Sequence, residues 1–166
     1  MLLKTHRIVT VAAATDILAH THQPAGMYAL LVVVAIGAAL PDIDSDSSFI
    51  GRHLPFISRH LQHRGITHSV YAGIAMALWA YFSGNITVAA LAFGYVMHLI
   101  EDGFSAAGLD WFMTGHPIVM PINYLVGGKF ETVMRITAWI ATISIILCAF
   151  GEWSVSPYTG DTPLFR

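Results

Sequence analysis

"HLIED" places His98 and Asp102 four positions apart. A helix would carry both on one face, with their bases about 5–6 Å apart. That spacing suits two ligands of one metal ion, or of two neighbouring ions. "PDIDSD" supplies Asp42, Asp44 and Asp46. In an extended stretch alternate carboxylates point the same way, and three so close repel one another unless a cation or basic group lies among them. Asp42 is the first ligand candidate and Asp44 the second, while Asp46 is expected in solvent. The run is not an EF-hand, because the glycine at the sixth position and the glutamate at the twelfth are missing. "HRGITHS" adds His63 and His68. On one continuous helix they would be about 140° apart. His63 is therefore expected in a loop and His68 at a helix start, with Gly65 as the bend and Thr67 as the N-cap. Arg64, between them, suits a phosphate or a structural carboxylate.

Imidazole and carboxylate without thiolate favour Zn²⁺, Mn²⁺ or Fe over Ca²⁺ or Cu(I). The candidates outnumber what one ion needs. Two or three ions are therefore expected, with zinc first in order, as in centres that clamp an attacking hydroxide and a leaving oxygen during phosphoester hydrolysis. Each motif also has a plainer reading: a wetted polar pair at a helix end, or an acidic turn. His53 and His60 lie in an amphipathic stretch suited to a lipid surface, His20 and His22 read as loop residues, and Asp16 as a buried polar side chain.

The elements that carry these residues are apolar. Of 166 residues, 55% are hydrophobic and only 11% charged, against about 25% charged in soluble domains. The chain reads as one membrane-embedded domain over residues 1–166. The single Cys148 excludes an internal disulfide and any multi-cysteine metal site, and is expected to pack as a small hydrophobe. Five apolar helical segments follow from the pattern: about 6–19, 27–40, 67–83, 85–103 and 131–151. The first is read as a helix, not as a cleaved leader. A straight crossing takes roughly 20 residues, so the last three qualify and the first two are short. Short turns at 20–26 and 83–85 alternate with long polar segments at 41–66 and 104–130. The fold class is all-α, an integral-membrane bundle of about five helices with two long polar loops on one face.

Alternating helices put every candidate on that face. His6 opens the first helix, the Asp42 cluster follows the second, His63 and His68 lead into the third, His98 and Asp102 end the fourth, and Glu131 opens the fifth. Lys4, Arg7, Arg52, Arg59, Arg64, Lys129 and Arg135 gather there too, and only Arg166 falls on the other side. The positive-inside bias makes this face cytoplasmic. Phe49, Phe56, Trp111 and Phe112 would rest at headgroup level.

"LPDID", "HRGITHS" and "GYVMHLIED", in that order between apolar helices, with "KTHRIV" before them and "GGKFE" before the last helix, resemble the YdjM family of membrane-bound, metal-dependent hydrolases. A more distant similarity is to zinc-dependent phospholipase C. The resemblance covers nearly the whole chain. It implies Asp42, His63, His68, His98 and Asp102 as metal ligands and, less directly, His6, Asp44 and Glu131. Glu101 departs from the motif, where an uncharged residue is usual.

The expected function is hydrolysis of a phosphoester, such as a phospholipid headgroup, by a metal centre at the inner-membrane face. Asp44 or Glu131 would act as general base and Arg64 would hold the phosphate. Membrane lipid is the expected partner, and nucleic acid is not. Two rivals stand beside this reading. A metal transporter or sensor would need polar groups at mid-depth. A purely structural metal site would leave no open coordination position.

Overall fold

The computed structural model describes residues 2–48, 50–121 and 123–155. Phe49 and Arg166 lie outside the described residues. Helix α1 is Leu3–His20 and α2 is Leu30–Gly37, entered through a 3-10 turn at Ala25–Ala29. A single turn, α3, spans Pro55–Ser58. Then come α4 (Val70–Ser83), α5 (Ile86–Gly103) and α6 (Lys129–Val155). No strand forms among the described residues. The five apolar segments of the sequence are therefore five helices.

Their lengths differ from expectation in two places. Three stretches are long and apolar enough to cross a membrane: Ala25–Asp44, Ile86–Gly103 and Lys129–Phe150. The second apolar segment is thus not short, because 3-10 turns extend α2 at both ends. The third is shorter than expected, since α4 has 14 residues. Ser69, not Thr67, caps it, accepting the N–H of Ala72 at 3.3 Å, so the helix starts later. Gly84, in the left-handed conformation, ends it.

The bundle is built around α5, which packs against α2 on one side and α4 on another, while α1 packs along α6. The α2–α5 crossing is a backbone contact. A Cβ on Gly37 would stand 2.2 Å from the Leu91 carbonyl oxygen, and one on Gly94 2.2 Å from that of Val34. Small residues at such crossings let membrane helices approach closely. One apolar cluster joins Ala14, Val34 and Ala90. A second, nearer the polar loops, joins Tyr95, Leu99 and Leu109, with Leu40, Met76 and Trp111 against it.

The outward faces are also apolar. On α6, Val133, Ile136, Ile140, Ile143 and Leu147 are exposed. Cys148 is exposed with them and does not pack inside, because α6 is covered mainly along its α1 side. Of the aromatics expected at headgroup level, Phe56 and Phe112 are exposed, whereas Trp111 turns in against Gly103 and Leu109.

Candidate metal centre

His98 lies in the last turns of α5. Its Nδ1 is 2.7 Å from the Ala38 carbonyl oxygen, just past the end of α2, where helix carbonyls lack intrahelical partners. A carbonyl only accepts, so Nδ1 carries the proton and Nε2 keeps its lone pair. His68 sits in the 3-10 turn Ile66–His68 that leads into α4. Its Nδ1 is 3.1 Å from Asp44 Oδ2, which leaves its Nε2 free in the same way. Both Nε2 atoms are buried and have no hydrogen-bond partner. Buried polar atoms are otherwise paired almost without exception.

Two carboxylate oxygens face these lone pairs. Asp42 Oδ1 is 3.6 Å from His68 Nε2 and 3.7 Å from His98 Nε2. Asp102 Oδ2 is 3.8 Å from His68 Nε2 and 3.9 Å from His98 Nε2. Zinc with bonds of about 2.0–2.1 Å in a tetrahedron separates its ligand atoms by about 3.3–3.4 Å. Asp42, His68 and His98 thus offer three donor atoms within 4.8 Å of one another, with Asp102 adjoining, and the residues present fit a divalent ion.

The carboxylates make the middle of this set demand positive charge. Burial opposes a charge on His68, yet the carboxylates of Asp42 and Asp44 outweigh it and raise its pKa to about 9.

Asp42 and Asp44 do not point the same way. Pro41 opens a 3-10 turn over Pro41–Asp44, and at three residues per turn alternate side chains diverge. Asp42 faces the donor set. Asp44, fully buried, lies behind it and receives His63 Nδ1 at 2.9 Å, the Arg64 N–H at 3.0 Å and the Thr67 hydroxyl at 2.5 Å, besides His68. A carboxylate behind a ligand imidazole fixes its tautomer and orientation.

The bend in "HRGITHS" falls on two residues, not on Gly65 alone. Arg64 has φ of 60°, a conformation uncommon outside glycine. At Gly65, a Cβ would approach the Gln62 carbonyl oxygen to 2.7 Å. The bend directs the Arg64 N–H to Asp44, while its guanidinium reaches Asp102 Oδ2 at 3.1 Å and the Gly108 carbonyl at 3.3 Å. The Arg64 side chain keeps 27% of its surface exposed.

His6 reaches the same place from α1. Its ring stacks on that of His98 with centroids 3.9 Å apart. Nδ1 lies 2.8 Å from Glu101 Oε2 and Nε2 lies 3.1 Å from Asp102 Oδ1. His6, His98 and Asp102 form a second group with donor atoms within 4.8 Å of one another, and Asp42, Asp44 and His63 a third. The three groups share residues and are contiguous.

Seven of the nine residues expected at the site thus stand together: His6, Asp42, Asp44, His63, His68, His98 and Asp102. Arg64 is attached to them through Asp102 and Asp44. Glu131 is placed differently: its oxygens receive the N–H groups of Leu2 at 2.7 Å and Gly127 at 2.6 Å, fastening the start of α1 to the start of α6. Asp46 is held by the Ser58 hydroxyl and lies 3.9 Å from Arg59 Nε. His60 bonds the Phe56 carbonyl one turn back, and His20 that of Asp16.

Glu101 is the residue that sequence reasoning undervalued. Besides His6 it accepts the Thr10 hydroxyl at 2.9 Å. Thr10 lies four positions after His6 and Glu101 three after His98, so same-face spacing was the available signal. Thr67 and the Ala38 carbonyl, which orient Asp44 and His98, carry no such signal.

A profile of the family described as YdjM inner membrane protein matches residues 1–157. The inner membrane protein YdjM of Escherichia coli (strain K12) is 33% identical over 81 residues, covering 42% of this chain and 41% of that protein. The protein of the same name from Shigella flexneri matches to the same extent. The match therefore spans well under half the length of these relatives. No solved structure matches the chain. The helices that can cross a membrane and the match across nearly the whole sequence lead to one statement: this chain belongs to the YdjM inner membrane protein family.

Proposed function

We propose that the protein is a membrane-bound, metal-dependent hydrolase that acts on a phosphoester, such as a phospholipid headgroup, at the cytoplasmic face of the inner membrane. One observation carries the reading. Two buried, unpartnered imidazole nitrogens, His68 Nε2 and His98 Nε2, face Asp42 Oδ1 and Asp102 Oδ2 at 3.6–3.9 Å. Zinc is the first choice, because the donor set mixes imidazole nitrogen with carboxylate oxygen and holds no thiolate. The adjoining His6 and His63 groups give room for a second or third ion.

A bound divalent ion would supply Lewis acidity and a more acidic water. The chain's own residues do the rest. Asp42 and Asp102 offset the ion's charge. Ala38 and Asp44 hold the two imidazoles with Nε2 inward. Arg64, anchored on Asp102 and Gly108 with part of its side chain exposed, would hold an anionic oxygen beside the centre. Of the two carboxylates expected as proton acceptor, Asp44 is assigned ahead of Glu131, acting through the half-exposed His63 imidazole that it holds, because its own oxygens are buried and occupied. The basic residues near this end of the bundle support a cytoplasmic placement.

Polar ligands gathered at one end of the bundle favour hydrolysis over transport, which would need a path through the middle. The test is metal analysis joined to turnover. Purified wild type is expected to hold zinc and to cleave a phosphodiester or phospholipid, and His98→Ala to lose both. Full metal occupancy with no turnover of any phospholipid or phosphodiester would overturn the hydrolase reading.

A further inference from the structure

A cavity opens between α1, α2 and α6, lined by none of the residues of the metal centre. It has a volume of about 610 Å³ and is lined by Lys4, Arg7, Ile8 and Val11 of α1, Arg135 and Trp139 of α6, and Ala35 of α2. That volume falls within the range of small-molecule sites. Three cations and no carboxylate line it. Among the described residues neither Lys4 nor Arg135 forms an ion pair.

At about 100° per residue, Lys4, Arg7, Ile8 and Val11 share one side of α1. His6 lies well round from them, facing α5. The cations come from the first two turns of α1 and α6, at the end of the bundle that holds the metal centre. Val11, Ala35 and Trp139 lie deeper and continue the cavity as an apolar wall.

We infer that this cavity binds an anionic phospholipid, its phosphate among Lys4, Arg7 and Arg135 and an acyl chain against Ile8, Val11, Ala35 and Trp139. Basic pockets between membrane helices suit such headgroups, and tryptophan favours the boundary between headgroups and hydrocarbon. Three fixed cations with an apolar floor distinguish an anionic lipid from a zwitterionic one, whose own ammonium would be repelled. The inference needs only a membrane location and stands whether or not the metal centre hydrolyses anything.

The experiment is native mass spectrometry of the full chain released from detergent, after incubation with phosphatidylglycerol or phosphatidylcholine. Wild type is expected to retain phosphatidylglycerol preferentially. Each of Lys4→Ala and Arg135→Ala should weaken retention about fivefold, by the usual contribution of one basic residue near an anionic headgroup. Inorganic phosphate at millimolar concentration should not displace the lipid. Equal retention of the two lipids, unchanged retention in Lys4→Ala with Arg135→Ala, or full displacement by phosphate would overturn the inference. Helicity by circular dichroism and elution as a single species serve as the folding control. Both variants should keep them, and Trp139→Phe, which preserves the cations and an aromatic ring, should keep both the fold and the lipid selectivity.

Discussion

Asp44 shows how much one side chain can do without touching a metal. It is buried and takes hydrogen bonds from His63, Arg64, Thr67 and His68, so it sets the loop and the ligand together. Asp44→Asn keeps the shape but loses the charge that holds the His68 proton on Nδ1. Metal affinity should fall about 10–100-fold, the usual effect of removing a group behind a ligand, with helicity unchanged. Competition with a chelator measures the first and circular dichroism the second. Glu131→Gln is expected to separate the two carboxylates: zinc content stays, and any loss of turnover at full occupancy would then belong to Glu131 itself. Histidine and aspartate spacings made the cluster readable in the sequence, because a helix converts i, i+4 into contact. The role of Asp44 was not readable. It depends on Pro41 tightening the turn to 3-10, which sends Asp42 and Asp44 in different directions. The use of Glu101 depends on His6, 95 positions away.

At the scale of the helices, the position of the centre rests on the α2–α5 crossing. His98 on α5 is registered against α2 by the Ala38 carbonyl, and that register exists because Gly37 and Gly94 let the two backbones meet. Gly94→Ala would press a methyl group into the Val34 carbonyl oxygen, 2.2 Å away. The cost should be about 1–3 kcal/mol, as for overpacking elsewhere. Thermal unfolding in detergent should show the loss, and zinc binding should weaken with it as His98 and Asp42 separate. Ser69→Ala removes the cap of α4 at a cost of about 1 kcal/mol, and it acts on the backbone next to His68. Number and order of helices were legible from hydropathy alone, since apolar runs interrupted by polar turns leave little choice in a bilayer. Their ends were not. The α4 start depends on whether Thr67 or Ser69 caps, and Thr67 is drawn off by Asp44 before it can.

For the molecule as a whole, the proposed centre would couple metal binding to stability. A ligand that binds only the folded protein stabilises it by about 2.7 kcal/mol at 100 times its Kd. Chelation should therefore lower the thermal midpoint of the wild type and leave that of a His68→Ala, His98→Ala double variant unmoved. The lack of any such difference would mean that the donor set is closed by protein contacts alone. The same geometry also bears on the order of events during membrane insertion. The Ala38–His98 bond joins positions 60 apart, and the Arg64–Asp102 pair joins positions 38 apart. The buried polar side chains in the last turns of α5 find their partners 38 to 95 positions earlier. Helices α1 and α2 therefore enter the bilayer with His6 still waiting for Glu101 and Asp102, and with Asp42 waiting first for His68 and then for His98. Only when α5 has been synthesised do all four donors coexist. Helix α6 adds none of them and latches the start of α1 through Glu131. On the proposed reading metal would load late in biogenesis, and a nascent chain stalled before α5 would leave His6 without Glu101 and Asp102, and the Asp42–His68 pair without His98.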